Sequence, residues 1–583
     1  MPRLREAGDS ALLLQLEGGI DPATNGRAIA IAAAIRAAAP PGVRDVVPTY
    51  RSVAVYFDPL RVDIAHIREL TRRAGDTPGP ADGGSTVEVP VRYGGEDGPD
   101  LTAVAAFAGL RPEDVIARHA GGEYRVYMLG FLPGFAYLGS VPPEIAMPRR
   151  ATPRLRVAAG SIGIAGAQTA VYPRASPGGW QIIGRTPLQV FDPQRVPPAI
   201  FAPGDSVRFV PLPASNAGSP AEAGLHEDRN VESAFRRSPN VESGFSRSVK
   251  VESGFSRIPN VESGFSRIPA LAPDSGRTLT VIRPGLFTTI QDGGRWGHQS
   301  SGVPVGGALD LVSHRLANAL VGNATDAASL EVTIAGPELR FDADATVAIT
   351  GADFAVTNDG TAAPLARPMP VRRGGVVRFG TRRSGARAYV AIDGGITVPP
   401  VLGSRATHVL TAMGGVEGRP LTAGDRLTLG SGTWAVARSR VEVPLVAGQG
   451  GARVRVLPGP QDDFFPADAF HVLQRSRYAI APQSDRMGYR LAGACIPLLL
   501  NREMISDATF AGGIQVPPSG EPILLMADRQ TTGGYPQIAT VISADLPLAA
   551  QLAPGDWIEF QLCSRGDALA ALVAQEGKLL AVG

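Results

Sequence analysis

The sequence predicts an α+β, mostly β protein: a small N-terminal α/β sandwich followed by β-rich domains in two halves. Three observations point there. The 583 residues include 70 Gly and 51 Pro, a balance that favours turns and short strands over long helices. The same turn-then-strand pattern occurs three times: Pro203-Gly204-Asp205 before Ser206 to Val210, Ala423-Gly424-Asp425 before Arg426 to Leu429, and Pro554-Gly555-Asp556 before Trp557 to Phe560. Each is a tight turn feeding an alternating strand, and each is read as the closing strand of a β-rich domain. Finally, a repeat with a period of ten residues divides the chain, with Val-Glu-Ser-Gly-Phe at Val241, Val251 and Val261 and a variant at Val231.

The N-terminal element begins with a strand over Ala11 to Leu16 and a helix over Thr24 to Ala39. A strand over Ser52 to Phe57 and a helix over Ile64 to Arg73 follow. This β-α-β-α order suggests a small sheet with helices on one face. From Val87 onward, short strands and Gly/Pro turns take over. The repeats are rich in Ser, Arg and Glu with one Phe per unit, too little apolar area to offset chain entropy, so they read as a disordered linker. A second echo links Ala165-Gly166-Ala167-Gln168 to Ala511-Gly512-Gly513-Ile514-Gln515 and suggests related barrels in the two halves.

Composition narrows function. There are 56 basic and 54 acidic residues and a net charge of +2, so no global field gathers nucleic acid or anionic membrane. The two cysteines, Cys495 and Cys563, support neither a disulfide framework nor a Cys-based zinc site, and a reducing cytoplasm is the expected compartment. The apolar run from Ala28 to Ala39 is broken by Arg36, and no stretch reaches membrane-span length. Lys250 and Lys578 are the only lysines. Neither sits in a Walker A loop or a promising Schiff-base setting. There is no G-x-S-x-G elbow and no H-E-x-x-H. The histidines show no metal spacing; only His298 and His314 lie in motif-dense stretches, and metal ligands are not identified.

The candidate chemistry lies in Gly-, Arg- and Asp-rich runs. In the first half, Gly130-Phe131-Leu132-Pro133-Gly134-Phe135 packs aromatics around a Pro-Gly turn. Arg154, Ser161, Gln168, Thr169, Gly178, Gly179, Trp180 and Arg185 stand in the next run. Glycines let backbone approach a ligand, successive amides can cradle an anion, and Arg154 and Arg185 suit bidentate binding of carboxylate or phosphate. In the second half, Gln291, Asp292 and Arg295 precede Asp310. Arg405, Asp463, Arg486 and Gln515 follow. Asp462 and Asp463 are neighbours, so on a strand at most one enters a given site. Taken singly, each of these residues has a structural alternative as a barrel-loop brace.

Together the motifs resemble a known family. Residues 1 to about 212 resemble the B subunit of 5-oxoprolinase, also described as the sporulation-kinase inhibitor family. The resemblance rests on Gly130 to Phe135, Gly163 to Thr169 and Ser176-Pro177-Gly178-Gly179-Trp180. Residues 279 to about 565 resemble the C subunit, the inhibitor's antagonist. It rests there on Thr289 to Arg295, Asp310, Leu316-Ala317-Asn318, Gly322-Asn323, Leu330-Glu331, Val401 to Arg405 and Ser484 to Gly488. The resemblance implies cyclophilin-like β-barrels in both halves and kinship with allophanate hydrolase and the carboxyltransferase region of urea carboxylase. It also implies a joint enzyme with a separate protein like the 5-oxoprolinase A subunit, using ATP and Mg²⁺ to phosphorylate the lactam of 5-oxoproline and open it to L-glutamate.

The resulting domain boundaries are 1–82 for the small α+β domain and 83–213 for the first barrel. The linker takes 214–277, a first β-rich domain of the second half 278–445, its barrel 446–565, and a C-terminal helix and tail 566–583. The catalytic candidates are Arg154, Gln168, Arg185, Asp292, Arg295 and Arg486, expected where the halves meet. The substrate- and nucleotide-binding candidates are Phe131, Pro133, Ser161, Thr169, Gly178, Gly179, Trp180, Gln291, Asp310, Arg405, Asp463 and Gln515. Besides a small-molecule substrate, a homo-oligomeric partner is possible. Two other functions are open: the carboxyltransferase component of a biotin-dependent urea or amide carboxylase, and a binding module that regulates a histidine kinase.

Overall fold

The computed structural model describes residues 2–38, 40–75, 84–213, 275–432, 450–499 and 504–581. Most of the expected linker, residues 214–274, lies outside the described residues.

The N-terminal domain is a four-stranded antiparallel sheet in the order Arg3–Glu6, Ala11–Gln15, Ser52–Phe57, Val43–Pro48. The strands Arg3–Glu6 and Val43–Pro48 extend the expected β-α-β-α pattern. Helix Pro22–Ala38 opens with Pro at its first position, and the Asp21 carboxylate accepts from the Thr24 N–H at 2.9 Å, an N-terminal cap. Leu12, Leu14, Val53, Val55 and Phe57 pack under Ile31, Ile35 and Ile67 of the two helices. The alternate residues Ala11, Leu13, Ala54 and Tyr56 face the other way, against Ala508 and Phe510 of the second half. Burial on both faces accounts for apolar runs that do not alternate.

The first barrel is closed by seven strands. Its first strand, Thr86–Tyr93, pairs in parallel with its last, Ser206–Pro211. The C-terminal barrel also has seven strands, and Gly451–Pro458 pairs in parallel with Trp557–Leu562. Taken in chain order, the strands neighbour one another identically in both barrels. Each barrel also carries a two-stranded arm: Arg154–Val157 with Ser176–Gly178, and Asp507–Ala508 with Thr532–Gly533. The barrels are therefore the same motif built twice.

Their register corrects the sequence echo. Ala511-Gly512-Gly513-Ile514 corresponds to Ala159-Gly160-Ser161-Ile162, not to Ala165 to Gln168. Gly160 and Gly512 both take positive φ (79° and 78°) just before the strands Ser161–Ala165 and Gly513–Gln515. Each of those strands then meets a partner strand with a one-residue bulge.

Between the barrels lies a sandwich of a six-stranded and a five-stranded sheet, with one apolar core between them. Its first strand Thr278–Arg283 pairs with its closing strand Arg426–Thr428. Helix Leu311–Leu320 packs on the five-stranded sheet and is capped by Asp310, whose carboxylate accepts from the Ser313 N–H at 2.8 Å.

Candidate functional site at the junction of the two halves

The loop 130–135 of the first barrel is wedged into the second half. The Gly134 N–H donates to Ser301 O at 2.9 Å. A Cβ on Gly130 would lie 1.8 Å from Thr532 Oγ1, so only glycine fits this contact. Behind the loop stands an aromatic cluster on the outer face of the barrel. The Phe135 ring centroid lies 5.1 Å from Tyr137, 5.3 Å from Tyr172 and 5.6 Å from Trp180. Tyr50, from the turn before strand Ser52–Phe57, joins it at 5.2 Å from Tyr127. Gly178 makes room for the cluster, since a Cβ there would meet the Tyr172 hydroxyl at 2.5 Å.

Polar groups rim this cluster. The Arg149 guanidinium sits 5.8 Å from the Trp180 ring centroid, a cation–π contact. The Gln168 amide donates to the Tyr50 hydroxyl. Burial raises the pKa of Tyr50 and Tyr137 and pushes Tyr172 up to about 12, with Arg149 lowering each in part. These phenols therefore stay protonated at neutral pH and act as donors. Arg154 Nη2 donates to Asp100 at 2.7 Å, while its Nη1 is buried without a partner.

A second polar group lies beside this junction. The buried Asp507 carboxylate accepts from Ser52 Oγ and, at 3.3 Å, from Thr49 Oγ1. Burial raises its pKa. Gln15, Arg51, Gln461 and Phe464 line the narrow cleft around it.

The six catalytic candidates fall into three groups by their partners. Gln168 and Arg154 edge the aromatic cluster. Arg185 lies at the barrel end, donating to Ala159 O at 2.9 Å with Asp97 at 3.8 Å. Asp292, Arg295 and Arg486 sit inside the second half. Asp292 accepts from Gly294 N, Ser404 Oγ and Arg405 N and so pins two loops together. Arg295 is fully buried and donates to the carbonyls of Val401 and Ala406. Arg486 spans the sandwich and the barrel, donating to Glu331, to Asp528 at 2.9 Å and to Gly307 O at 2.6 Å. Burial opposes its charge, but Asp528 and Glu331 hold its pKa above the ordinary value.

Among the binding candidates, Phe131 is half-buried at the rim and Pro133 is buried within the wedged loop. Gly179 O accepts from Arg150 N, Ser161 is a buried strand residue opposite Arg185, and Thr169 Oγ1 lies 3.0 Å from His119 Nε2. In the second half, Gln291 donates to Thr407 O, Asp310 caps its helix, and Arg405 donates to Val398 O. Asp463 lies in the turn Asp462–Phe464, and Gln515 is a buried barrel residue. Sequence reasoning misses Tyr50, Arg149 and Asp507. Arg149 and Tyr50 carry no local signal in the sequence. Among the described residues, no group of three His, Cys, Asp or Glu side chains could hold a metal ion, so the described residues alone do not fit a protein cage for Mg²⁺.

Comparison with known proteins gives this arrangement a lineage. Residues 2–201 match the family described as "Carboxyltransferase domain, subdomain C and D", and residues 301–562 match "Carboxyltransferase domain, subdomain A and B". The chain is 40% identical to the C subunit of 5-oxoprolinase from Escherichia coli over 298 residues, 51% of this chain and 95% of that protein. It is 42% identical to the B subunit of 5-oxoprolinase from Bacillus subtilis over 232 residues, 36% of this chain and 92% of that protein. Urea amidolyase of Saccharomyces cerevisiae is 33% identical over 48% of this chain, which covers only 16% of that protein. The crystal structure of TTHA0988 superposes with a TM-score of 0.76 at 35% identity, covering 96% of this chain and 100% of that one. The chain belongs to the carboxyltransferase-domain family of the 5-oxoprolinase B and C subunits, and joins a B-subunit-like half to a C-subunit-like half in one polypeptide.

Proposed function

We propose that this chain is the B–C component of an ATP-dependent 5-oxoprolinase, which opens the lactam of 5-oxoproline to L-glutamate together with a separate A-subunit-like protein. The observation that carries this reading is that each half matches nearly the whole of a 5-oxoprolinase subunit. An unactivated lactam opens slowly; ATP would phosphorylate the amide oxygen with release of ADP, water would add at the activated carbon, the ring C–N bond would break with the nitrogen leaving as the amine of glutamate, and hydrolysis of the acyl phosphate so formed would release phosphate. Mg²⁺ brought with a nucleotide needs only one or two carboxylates beyond phosphate and water.

The junction residues suit the other tasks. The half-buried Phe131 at the rim of the aromatic cluster would offer an apolar wall to a flat five-membered ring. Protonated phenols at Tyr50 and Tyr137 can donate to a carbonyl oxygen, and Gln168 orients Tyr50. Arg149 and the unpartnered Nη1 of Arg154 provide cationic donors for the substrate carboxylate.

A second reading is carboxyl transfer in a biotin-dependent urea or amide carboxylase, favoured by the two carboxyltransferase family matches. Biotin would then reside on another protein, since Lys250 and Lys578 are the only lysines. ADP release measured with 5-oxoproline, urea and allophanate, with and without the A-subunit-like protein, separates the readings. Release that depends on both 5-oxoproline and the partner is expected. Release with urea alone, alongside a co-purifying protein that streptavidin detects, would replace the first reading with the second.

A further inference from the structure

The C-terminal helix Arg565–Leu580 has two unlike faces. Ala568 and Leu579 are buried, Gln575 Nε2 donates to Ala544 O at 3.0 Å, and Glu576 pairs with Arg315 at 2.6 Å. At 100° per residue, the opposite face carries Leu569, Ala570, Val573, Ala574, Gly577 and Leu580, all exposed. Val573 is 54% and Leu580 71% exposed. A surface helix normally turns charged residues outward; this one turns out an unbroken apolar stripe.

Gly577 is the telling residue. Within a helix, glycine costs about 1 kcal/mol relative to alanine, and a Cβ at Gly577 would meet nothing within 4 Å. Nothing in the packing of the described residues explains it, whereas close approach of another helix does.

We propose that this face is a two-fold interface on which the C-terminal helix of a second copy of the chain packs antiparallel. The charges select this partner and direction. Asp567 and Lys578 flank the stripe on the same side, near opposite ends of the helix. With the two-fold axis at Val573, a rise of about 1.5 Å per residue puts Asp567 of one copy within about 2 Å, along the helix, of Lys578 of the other. The reciprocal pair forms by symmetry. A parallel pair, with its axis along the helices, would put the two charged edges on opposite sides of the seam, where no Asp567–Lys578 pair forms. The same axis places Leu569 opposite Gly577 and Leu580 opposite Gly566, a large side chain over a glycine each time, with Val573 facing its own copy. One helix pair is smaller than a standard interface, so the expected dimer is a reversible one.

Sedimentation velocity of the full chain over micromolar concentrations tests this. A reversible dimer is expected. Val573→Glu should abolish it without lowering the melting temperature, because the side chain is exposed. Lys578→Glu should weaken association about tenfold. Val573→Cys should give a disulfide-linked dimer under mild oxidation in a background where Cys495 and Cys563 are replaced by Ser. A chain that stays monomeric, a dimer indifferent to Val573→Glu, or a dimer that Val573→Cys fails to cross-link would each overturn the proposal.

Discussion

Arg486 donates to Asp528, Glu331 and Gly307 O from a position almost sealed from water. Its residue type is legible in the sequence as a bidentate anion binder, but its partner is not, because Glu331 lies 155 residues away. A guanidinium that suits a substrate carboxylate suits an internal one equally well. Breaking a buried pair leaves an uncompensated charge worth about 3–5 kcal/mol. Arg486→Met is therefore expected to lower the denaturation midpoint severely, and Arg486→Lys partly, since the fork is lost; thermal melts of both variants check this. Histidines give a second residue-scale test. Burial lowers His119 to about 3 and His314 to about 4, against 6.5 in the free side chain. Below pH 6.5 the unfolded chain takes up protons that the folded chain refuses. Stability present above that pH is lost as pH falls toward 4, by up to about 1.4 kcal/mol per unit for each group. The buried carboxylates Asp45 and Asp507, with raised pKa values, act in the opposite sense, so the histidine contribution is read as a difference. His119→Gln should be less sensitive than the parent chain to acidification from pH 6.5 to 4.5 in urea titrations; an identical slope would contradict the assignment.

At the scale of elements, strands are easier to place than their partners. The strand Ser52–Phe57 is visible in the sequence as an apolar run, but that run does not say that Ala54 and Tyr56 meet the second half while Val53 and Val55 meet helices. The repeated barrel is legible only as an echo, and a shifted one. Gly-Gly-Ile stands out in sequence, whereas the bulge and the positive φ that fix the true correspondence are three-dimensional. The aromatic cluster is legible through Phe131, Phe135 and Trp180, but Arg149 and Tyr50 enter from outside the motif runs. The loop 130–135 yields a sharp expectation. Gly130→Ala drives a methyl into Thr532, and overpacking of this kind costs about 1–3 kcal/mol. Thr532→Gly removes the colliding atoms and should restore part of the loss. A double-mutant cycle on melting temperature reads the coupling, and additive losses would show that the two sites do not meet.

For the whole molecule, the halves share their packing and their polar contacts. Arg5 pairs with Asp462 at 3.1 Å, Asp9 accepts from Ser543, Gln299 N donates to Asp45, and Tyr56 donates to Thr509 O. These contacts all lie outside the residues that connect the halves. A protease site introduced between 214 and 274, once cut, should leave two fragments that co-elute on size exclusion and retain partner-dependent activity; fragments that separate would show that the connection holds them. The most direct measurement is glutamate formed from 5-oxoproline with ATP and Mg²⁺, by the purified chain, by the A-subunit-like protein, and by the two mixed. Only the mixture should make glutamate, and Arg149→Ala should lower its rate at unchanged melting temperature. Robust turnover by the chain alone, or none by the mixture, would contradict this.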